Sequence, residues 1–197
     1  MWIFDWIFSK IRKLYIPVNR LYCRLHHVST GRNFRVTGKL YIRNNGKIEI
    51  GDNVRINSAW WANPIGFGNR TLFQIFDGGE LIIGDGCGIS NSAFSSARRI
   101  CLEENVMIGA GCKFYDTDFH PISPKKRIHG ENQYAKTAPI LIRRNAFIGA
   151  GVIILKGVTI GENAVIGAGS VVTKNVPANE IWAGNPAVKV SDVDTDT

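Results

Sequence analysis

One histidine stands out among the residues of this chain that could do chemistry. His120 follows Asp116 and Asp118 in the segment DTDFHP, and Pro121 comes directly after it. A neutral imidazole can accept a proton near neutral pH, and a neighbouring carboxylate could fix its tautomer and stabilise the imidazolium. The pattern predicts a general base. Taken alone, however, one histidine between acids is more often a solvated surface turn.

The sequence after this segment repeats every six residues. Neither an α-helix nor an ordinary strand has that period. A short strand followed by a turn, stacked in successive coils of a solenoid, does have it. The repeat therefore predicts an all-β fold, a parallel β-helix. The large inward residues would be Ile142, Ile148, Ile154, Ile160, Ile166 and Val172, with smaller partners at Ala146, Val152, Val158, Ala164, Ser170 and Val176.

The same rhythm is present before His120, with interruptions. Leu102, Ile108 and Phe114 stand six apart, whereas residues 58–79 break the register. The repeat stops at residues 115–139 and resumes in register afterwards. A loop that interrupts a regular scaffold is a common place for function, and this position favours the general-base interpretation of His120.

The N-terminal region carries the excess positive charge. Residues 1–48 hold ten Lys and Arg and one Asp, whereas the remainder holds 14 basic and 15 acidic residues. Such a surface attracts anions such as lipid headgroups, phosphorylated substrates or nucleic acid; no nucleic-acid recognition motif accompanies it. Residues 1–16 have helical amphipathic spacing and are too short to span a bilayer, so we expect them to lie on a membrane or against protein.

These patterns give a domain organisation and bear on metal sites. We predict an N-terminal helical and basic segment at 1–36, a β-helix domain at 37–190 and a disordered acidic tail at 191–197. The four cysteines form no C-x-x-C pair, which argues against a zinc ribbon and favours a reducing compartment. A zinc lyase needs three histidine ligands in the fold. The chain has four histidines, and two of them, His26 and His27, precede the repeats, which leaves only His120 and His129.

From about Gly38 to Lys189 the chain resembles the hexapeptide-repeat acetyltransferases, in particular the maltose/galactoside and polysaccharide O-acetyltransferases. DTDFHP resembles their catalytic-histidine motif. GAGVIILKGVTIGENAVIGAGSVVTKNVP followed by AGNPA resembles their C-terminal signature. The resemblance implies a left-handed β-helix and a homotrimer with active sites between subunits. It also implies acetyl-CoA as the donor and a sugar or glycan hydroxyl as the acceptor. No metal is expected, because the sequence shows no set of metal ligands.

The resemblance also assigns roles to residues. His120 would be the general base, with Asp118 or Asp116 orienting it, and Asn91 would lie near the acceptor. Arg143, Arg144 and Phe147 depart from the family pattern, which puts the acyl and pantetheine contacts in question. The residues implied to line the CoA site are Phe147, Gly149, Ala150, Ala168, Thr173, Lys174 and Lys189.

Two other functions remain open from the sequence. An N-acyltransferase acting on an amino sugar or a drug would use the same base. A non-catalytic β-helix would act as an assembly module and would not bind CoA. We expect a cytoplasmic protein, with residues 1–16 either at the inner face of the membrane or against another subunit.

Overall fold

Three parallel sheets form the walls of a solenoid. The computed structural model describes residues 15–66 and 70–194. Each coil contributes one strand to sheet A, one to sheet B and one to sheet C, in that order along the chain. Strands pair in parallel with their equivalents in neighbouring coils, and sheets A and C have six strands each. Sheet B has eight, the last of which pairs antiparallel in a terminal hairpin. The fold is a left-handed parallel β-helix, as predicted.

The helices and strands are short. Residues 15–25 are helical (α1), and one further short helix, α2, lies at Pro124–Ile128 within the interruption at 115–139. Two 3-10 turns lie at Pro64–Gly66 and Asn132–Tyr134. The strands β1 to β20 are, in order, Val28–Thr30, Arg35–Gly38, Tyr41–Asn44, Lys47–Ile50, Arg55–Ser58, Leu72–Ile75, Glu80–Ile83, Gly88–Ser90, Ala93–Ser96, Ile100–Leu102, Met107–Ile108, Lys113–Tyr115, Ile140–Ile142, Phe147–Ile148, Ile153–Leu155, Thr159–Ile160, Val165–Ile166, Val171–Val172, Glu180–Gly184 and Ala187–Asp192.

The six-residue ladders form the core. Ile142 pairs with Ile160, and Ile148 pairs with Ile166, in neighbouring coils. All four of these side chains are fully buried. Burying an aliphatic side chain contributes roughly 1.5–3 kcal/mol, so a ladder that recurs in every coil stabilises the whole solenoid.

Asparagines stabilise the corner between sheets A and B, which we call the asparagine corner. Asn145 donates to Asn163 (3.0 Å), and Asn163 donates to Asn179 (2.8 Å). These residues adopt left-handed backbone with φ of 57–59°, a conformation that asparagine tolerates better than most residues. The corner comprises Asn33, Asn53, Gly86, Asn105, Asn145, Asn163 and Asn179.

The two ends of the solenoid differ from the predicted boundaries. The β-helix begins at Val28, inside the segment 1–36 that we assigned to the N-terminal region. The sequence did not indicate this first coil, because β1 has only one buried residue and shows no period. At the other end β20 pairs with β19 as far as Asp192, within the predicted tail. Residues 1–14 and 195–197 lie outside the described residues, and with them most of the predicted amphipathic segment 1–16.

Helix α1 packs on the first coil. Its Asn19 side chain donates to the carbonyl of Gly38 (2.8 Å), and Cys23 is 1% exposed. No helix within residues 15–66 and 70–194 is long and apolar enough to cross a membrane. The irregular stretch predicted at 58–79 corresponds to an excursion between β5 and β6, after which β6 rejoins sheet C.

Candidate active site

The segment predicted as a functional loop leaves the solenoid at the corner between sheets C and A. Its two ends pair with each other before they separate, since Thr117 and Thr137 form an antiparallel bridge. The amide of Asp118 donates to Lys136 O (3.0 Å), and the amide of Ala138 donates to Asp116 O (3.0 Å). The loop therefore has a closed neck whose position is set by the scaffold.

Asp116 anchors this neck to the preceding coil. Its carboxylate is fully buried and accepts the Ser96 hydroxyl at 2.7 Å. It also accepts the backbone N–H groups of residues 97, 98 and 99, at 2.7–2.8 Å. A carboxylate that accepts four hydrogen bonds is fully engaged, so Asp116 acts as a structural cap of the turn at 97–99.

Asp118 ties the neck to the following coil. Its Oδ1 atom lies 2.6 Å from Nζ of Lys156, in a pair whose side chains are only 25% and 28% exposed. Lys156 directly follows β15, at the same corner of the solenoid as the loop. The other carboxylate oxygen, Oδ2, is buried without a hydrogen-bond partner among the described residues. The ion pair thus fixes the backbone two residues before His120.

The backbone between Asp118 and His120 is strained. Phe119 has a φ of 60°, which is rare for a bulky residue. The amide of His120 donates to Asp118 O at 2.6 Å, closing a γ-turn centred on Phe119. Thr117 Oγ1 accepts the Phe119 amide (3.1 Å), and the Phe119 ring meets Tyr115 edge-on at 5.3 Å. Such strain persists where the surroundings over-determine it, which is common at functional sites.

His120 is exposed, and its ring contacts an amide. Nδ1 lies 2.9 Å from Oδ1 of Asn132, in the 3-10 turn farther along the loop. An amide oxygen can only accept, so the hydrogen lies on Nδ1 and Nε2 carries the basic lone pair. This tautomer suits a general base.

The prediction named Asp118 or Asp116 as the residue that orients the ring. Both carboxylates are engaged with the scaffold, and the amide of Asn132 holds the ring instead. Asn132 could not be identified from the sequence, because a contact across an irregular loop has no period.

The corner between sheets B and C carries almost no side chains, and we call it the bare corner. It consists of the Gly-Ala-Gly segments 109–111, 149–151 and 167–169, stacked in successive coils. A Cβ atom added at Gly149 would lie 2.7 Å from the amide nitrogen of Ala168. One added at Gly109 would lie 2.6 Å from the amide nitrogen of Ala150. Only glycine fits at these two positions, because the backbone of the next coil lies directly against them.

The structure brings together only some of the residues predicted to line the CoA site. Gly149, Ala150 and Ala168 belong to the bare corner. Phe147 precedes it on the outer face of sheet B and is 47% exposed.

Three predicted CoA residues lie elsewhere. Thr173 and Lys174 follow β18, at the corner between sheets C and A. The loop emerges from the same corner two coils earlier. Lys189 is on the terminal hairpin, where ion pairs to Asp192 (2.7 Å) and Glu180 (2.9 Å) raise the pKa of its ammonium. A ligand phosphate would have to compete with those two carboxylates.

Asn91 occupies the same B–C corner, one coil before the first Gly-Ala-Gly segment. It is 2% exposed with a φ of 43°, and its Nδ2 donates to Asn63 O (3.3 Å). Its Oδ1 is buried and has no partner in the described part of the chain. Because buried amide oxygens are normally paired, this atom can accept a hydrogen bond from a ligand. Asn91 lines a small cleft of about 200 Å³ with Arg70 and Lys113.

The arginines that depart from the family pattern lie at the asparagine corner. Arg143 pairs with Glu103 (2.7 Å), and Arg144 pairs with Glu162 (2.9 Å), so the two side chains reach toward opposite neighbouring coils. Both arginines therefore form ion pairs between coils. The asparagine corner is separate from the bare corner, so these two arginines do not alter the bare corner.

The remaining reactive groups do not form a second centre. Within residues 15–66 and 70–194 no three His, Cys, Asp or Glu side chains are grouped closely enough to hold a metal ion. All four cysteines are free thiols. Burial raises the pKa of Cys23 and of Cys87 to about 11, so these thiols stay protonated and unreactive at neutral pH.

Comparisons with known proteins find similar chains in several organisms. The family model described as bacterial transferase hexapeptide (six repeats) matches residues 139–174. A galactoside O-acetyltransferase of Lactococcus lactis is 37% identical over 153 residues, covering 76% of this chain and 66% of that protein. A Dictyostelium discoideum protein with a provisional acetyltransferase name is 33% identical over 165 residues, covering 83% of this chain and 71% of that protein. The chain spans only 49% and 61% of two yeast relatives with similar provisional names.

Solved structures share the same architecture. An N-acyltransferase of Bacillus cereus in complex with dTDP and 3-hydroxybutyryl-CoA has a TM-score of 0.67 at 22% identity, covering 89% of this chain and 88% of that one. At this identity the likeness shows the fold alone. A galactoside acetyltransferase in complex with coenzyme A has a TM-score of 0.54 at 26% identity, covering 84% of this chain and 65% of that one.

Proposed function

The chain belongs to the hexapeptide-repeat family of acetyltransferases, and we propose that it transfers an acetyl group from acetyl-CoA to a hydroxyl group of a sugar. The observation that carries the proposal is the contact between His120 and Asn132, which makes Nε2 the basic atom of an exposed ring. The coenzyme A of the related galactoside acetyltransferase supports the donor. The name of the L. lactis relative supports a sugar acceptor.

The reaction needs one base and no covalent enzyme intermediate. Nε2 of His120 removes the proton of the acceptor hydroxyl as its oxygen attacks the thioester carbonyl carbon. Backbone N–H groups can stabilise the resulting oxyanion. The C–S bond then breaks, the acetyl group remains on the sugar oxygen, and the imidazolium returns the proton to the leaving thiolate. Asn132 keeps the imidazole in the required tautomer throughout.

A homotrimer would complete this site. Within one chain the bare corner and the His120 loop lie at opposite ends of β12, Lys113–Tyr115. Three strand residues span roughly 10 Å, so each chain presents its loop on one side and its groove on another. In the trimer that the resemblance implies, the loop of one subunit meets the groove of the next. Positioning both reactants there would supply much of the acceleration.

Acceptor and location are the finer parts of the proposal. We propose a precursor of a surface polysaccharide or glycolipid as the acceptor, with the unpaired Oδ1 of Asn91 as one of its hydrogen-bond acceptors. Four free cysteines are in line with a reducing compartment, and we propose the cytoplasm.

The test is release of CoA from acetyl-CoA in the presence of a galactoside. We expect His120→Ala to lower turnover by roughly 10²–10⁴-fold, the usual contribution of a general base. Asn132→Ala, which removes one hydrogen bond to the ring, should lower it by about tenfold. His129→Ala is the matched control in the same loop and should stay within about twofold. Thermal unfolding should not change, because His120 is exposed.

The outcomes separate the competing functions. Near-normal turnover of His120→Ala would show that another residue is the base. Turnover with an amino sugar but not with its hydroxyl counterpart would identify an N-acyltransferase. Absence of acetyl-CoA binding by calorimetry would leave the scaffold function. Light scattering that shows a monomer would remove the argument for a site between subunits.

A further inference from the structure

The outer face of helix α1 carries an apolar stripe that residues 15–66 and 70–194 leave exposed. Val18, Leu21 and Leu25 are 57%, 58% and 67% exposed. Their spacing of three and four residues places them on one side of the helix. The opposite side holds Asn19 and Cys23, which are 3% and 1% exposed against the first coil. One face therefore attaches α1 to the solenoid, and the other presents large aliphatic side chains outward.

Arginines border this stripe. Arg20 and Arg24 are exposed on the neighbouring side of α1. Together with Leu21 they line an open groove of about 890 Å³ between α1 and the first coil. Arg32 lines the far side of the groove and is paired with Asp52 at 2.5 Å. The groove thus holds three guanidinium groups against one carboxylate, next to apolar side chains.

The positive charge extends over this whole end of the molecule. Residues 15–48 contain seven Lys and Arg and no Asp or Glu. Five of the seven, Arg20, Arg24, Arg35, Lys39 and Arg43, are exposed in the structure and make no ion pair among the described residues. An exposed apolar stripe within a field of unpaired arginine and lysine needs a partner that offers both anions and hydrocarbon.

We propose that the outer face of α1 docks on the surface of a bilayer that contains anionic phospholipid. The stripe of Val18, Leu21 and Leu25 would enter the boundary between headgroups and acyl chains, and Arg20 and Arg24 would meet lipid phosphates. A second copy of the chain meeting this face with its own would bring like charges together, which is unfavourable. The inference rests on this face alone and is independent of the proposed acetyl transfer.

The experiment is sedimentation of the full chain with vesicles. One set contains phosphatidylcholine only, and the other also contains phosphatidylglycerol. We expect binding to the anionic set that weakens as salt increases. Arg20→Gln/Arg24→Gln should weaken the partition about 30-fold, at about fivefold for each charge. Leu21→Gln/Leu25→Gln should weaken it by roughly tenfold or more, because two apolar side chains no longer enter the bilayer.

Matched controls come from elsewhere on the surface. Lys125→Gln/Lys126→Gln removes two charges from the loop, and Val188→Gln/Val190→Gln replaces two aliphatic residues that are 59% and 64% exposed. Both control variants should bind vesicles as wild type does, to within about twofold. Thermal unfolding is measured for every variant, since all eight side chains lie at the surface and none should unfold the chain.

Three results would overturn the proposal. The first is equal binding to both kinds of vesicle, or no binding. The second is wild-type binding by both α1 variants, which would place any lipid contact outside this face. The third is a smaller assembly for Leu21→Gln/Leu25→Gln in light scattering, which would make the stripe a contact between subunits.

Discussion

Two corners of the same solenoid have opposite chemistry. At the asparagine corner side chains fill the turns, and they bond to one another from coil to coil, as Asn145 does to Asn163. At the bare corner the stacked Gly-Ala-Gly segments carry only the methyl groups of alanine, and Gly149 packs directly against the next coil. The fold is the same at both, so the difference lies in the side chains: one corner is bonded from coil to coil, and the other is the corner proposed above for CoA. The predictions below test this division, from the largest expected effect to the smallest.

Filling the bare corner should do the most damage. Gly149→Val would place a Cβ atom 2.7 Å from the backbone of Ala168, and the stacked coils cannot separate locally. We expect a loss of about 3 kcal/mol in the free energy of unfolding, measured with urea, together with loss of acetyl-CoA binding. Gly88→Ala is the control, because a Cβ atom there meets nothing within 4 Å. A stable Gly149→Val that still binds acetyl-CoA would show that the bare corner is not the groove.

Breaking the hydrogen bonds of the asparagine corner should lower the free energy of unfolding by a smaller amount and leave acetyl-CoA binding unchanged. Asn163→Ala removes two hydrogen bonds and puts alanine at a φ of 57°, so we expect a loss of about 2–3 kcal/mol in unfolding free energy. Asn163→Gly removes the same bonds without the backbone penalty and should lose about 1 kcal/mol less. Reduced affinity for acetyl-CoA in Asn163→Gly, by calorimetry, would argue against the separation of the two corners.

The ion pairs of the asparagine corner should matter least. Arg143 and Glu103 have side chains that are 50% and 31% exposed, and pairs of that kind are screened by water and salt. Arg143→Met should change the free energy of unfolding by less than about 1 kcal/mol, and the effect should shrink further in high salt. A loss several times larger would place the pair among the main contributors to this corner.

The scaffold was predictable from the sequence because burial imposes a period. Each inward position of the later coils repeats at a fixed spacing, and the residues from Ile142 to Val172 lie in the core as expected. The first coil was missed because β1 has only Val28 buried. A six-residue repeat is visible in the sequence only where several equivalent coils follow one another without insertions.

The candidate site was predictable only in part. The position of His120 at the start of the interruption and the acidic residues before it could be identified from residue type and spacing. Their contacts could not, because a loop has no repeat to set its register. Thus the buried cap formed by Asp116, the pair of Asp118 with Lys156 and the contact of Asn132 with the ring emerged only from the folded structure.

Because the neck of the loop is closed, the length of the loop can change without disturbing the scaffold. Leu102 and Ile142 pair across the insertion in the same inward register as Ile142 and Ile160 do without one. Since the two ends of the loop are joined to each other at Thr117 and Thr137, the entropy lost on closing a longer segment grows only slowly. The tip of the loop can accordingly be exchanged, lengthened or shortened as a unit. Variation in this segment can then accumulate while the β-helix beneath keeps its sequence.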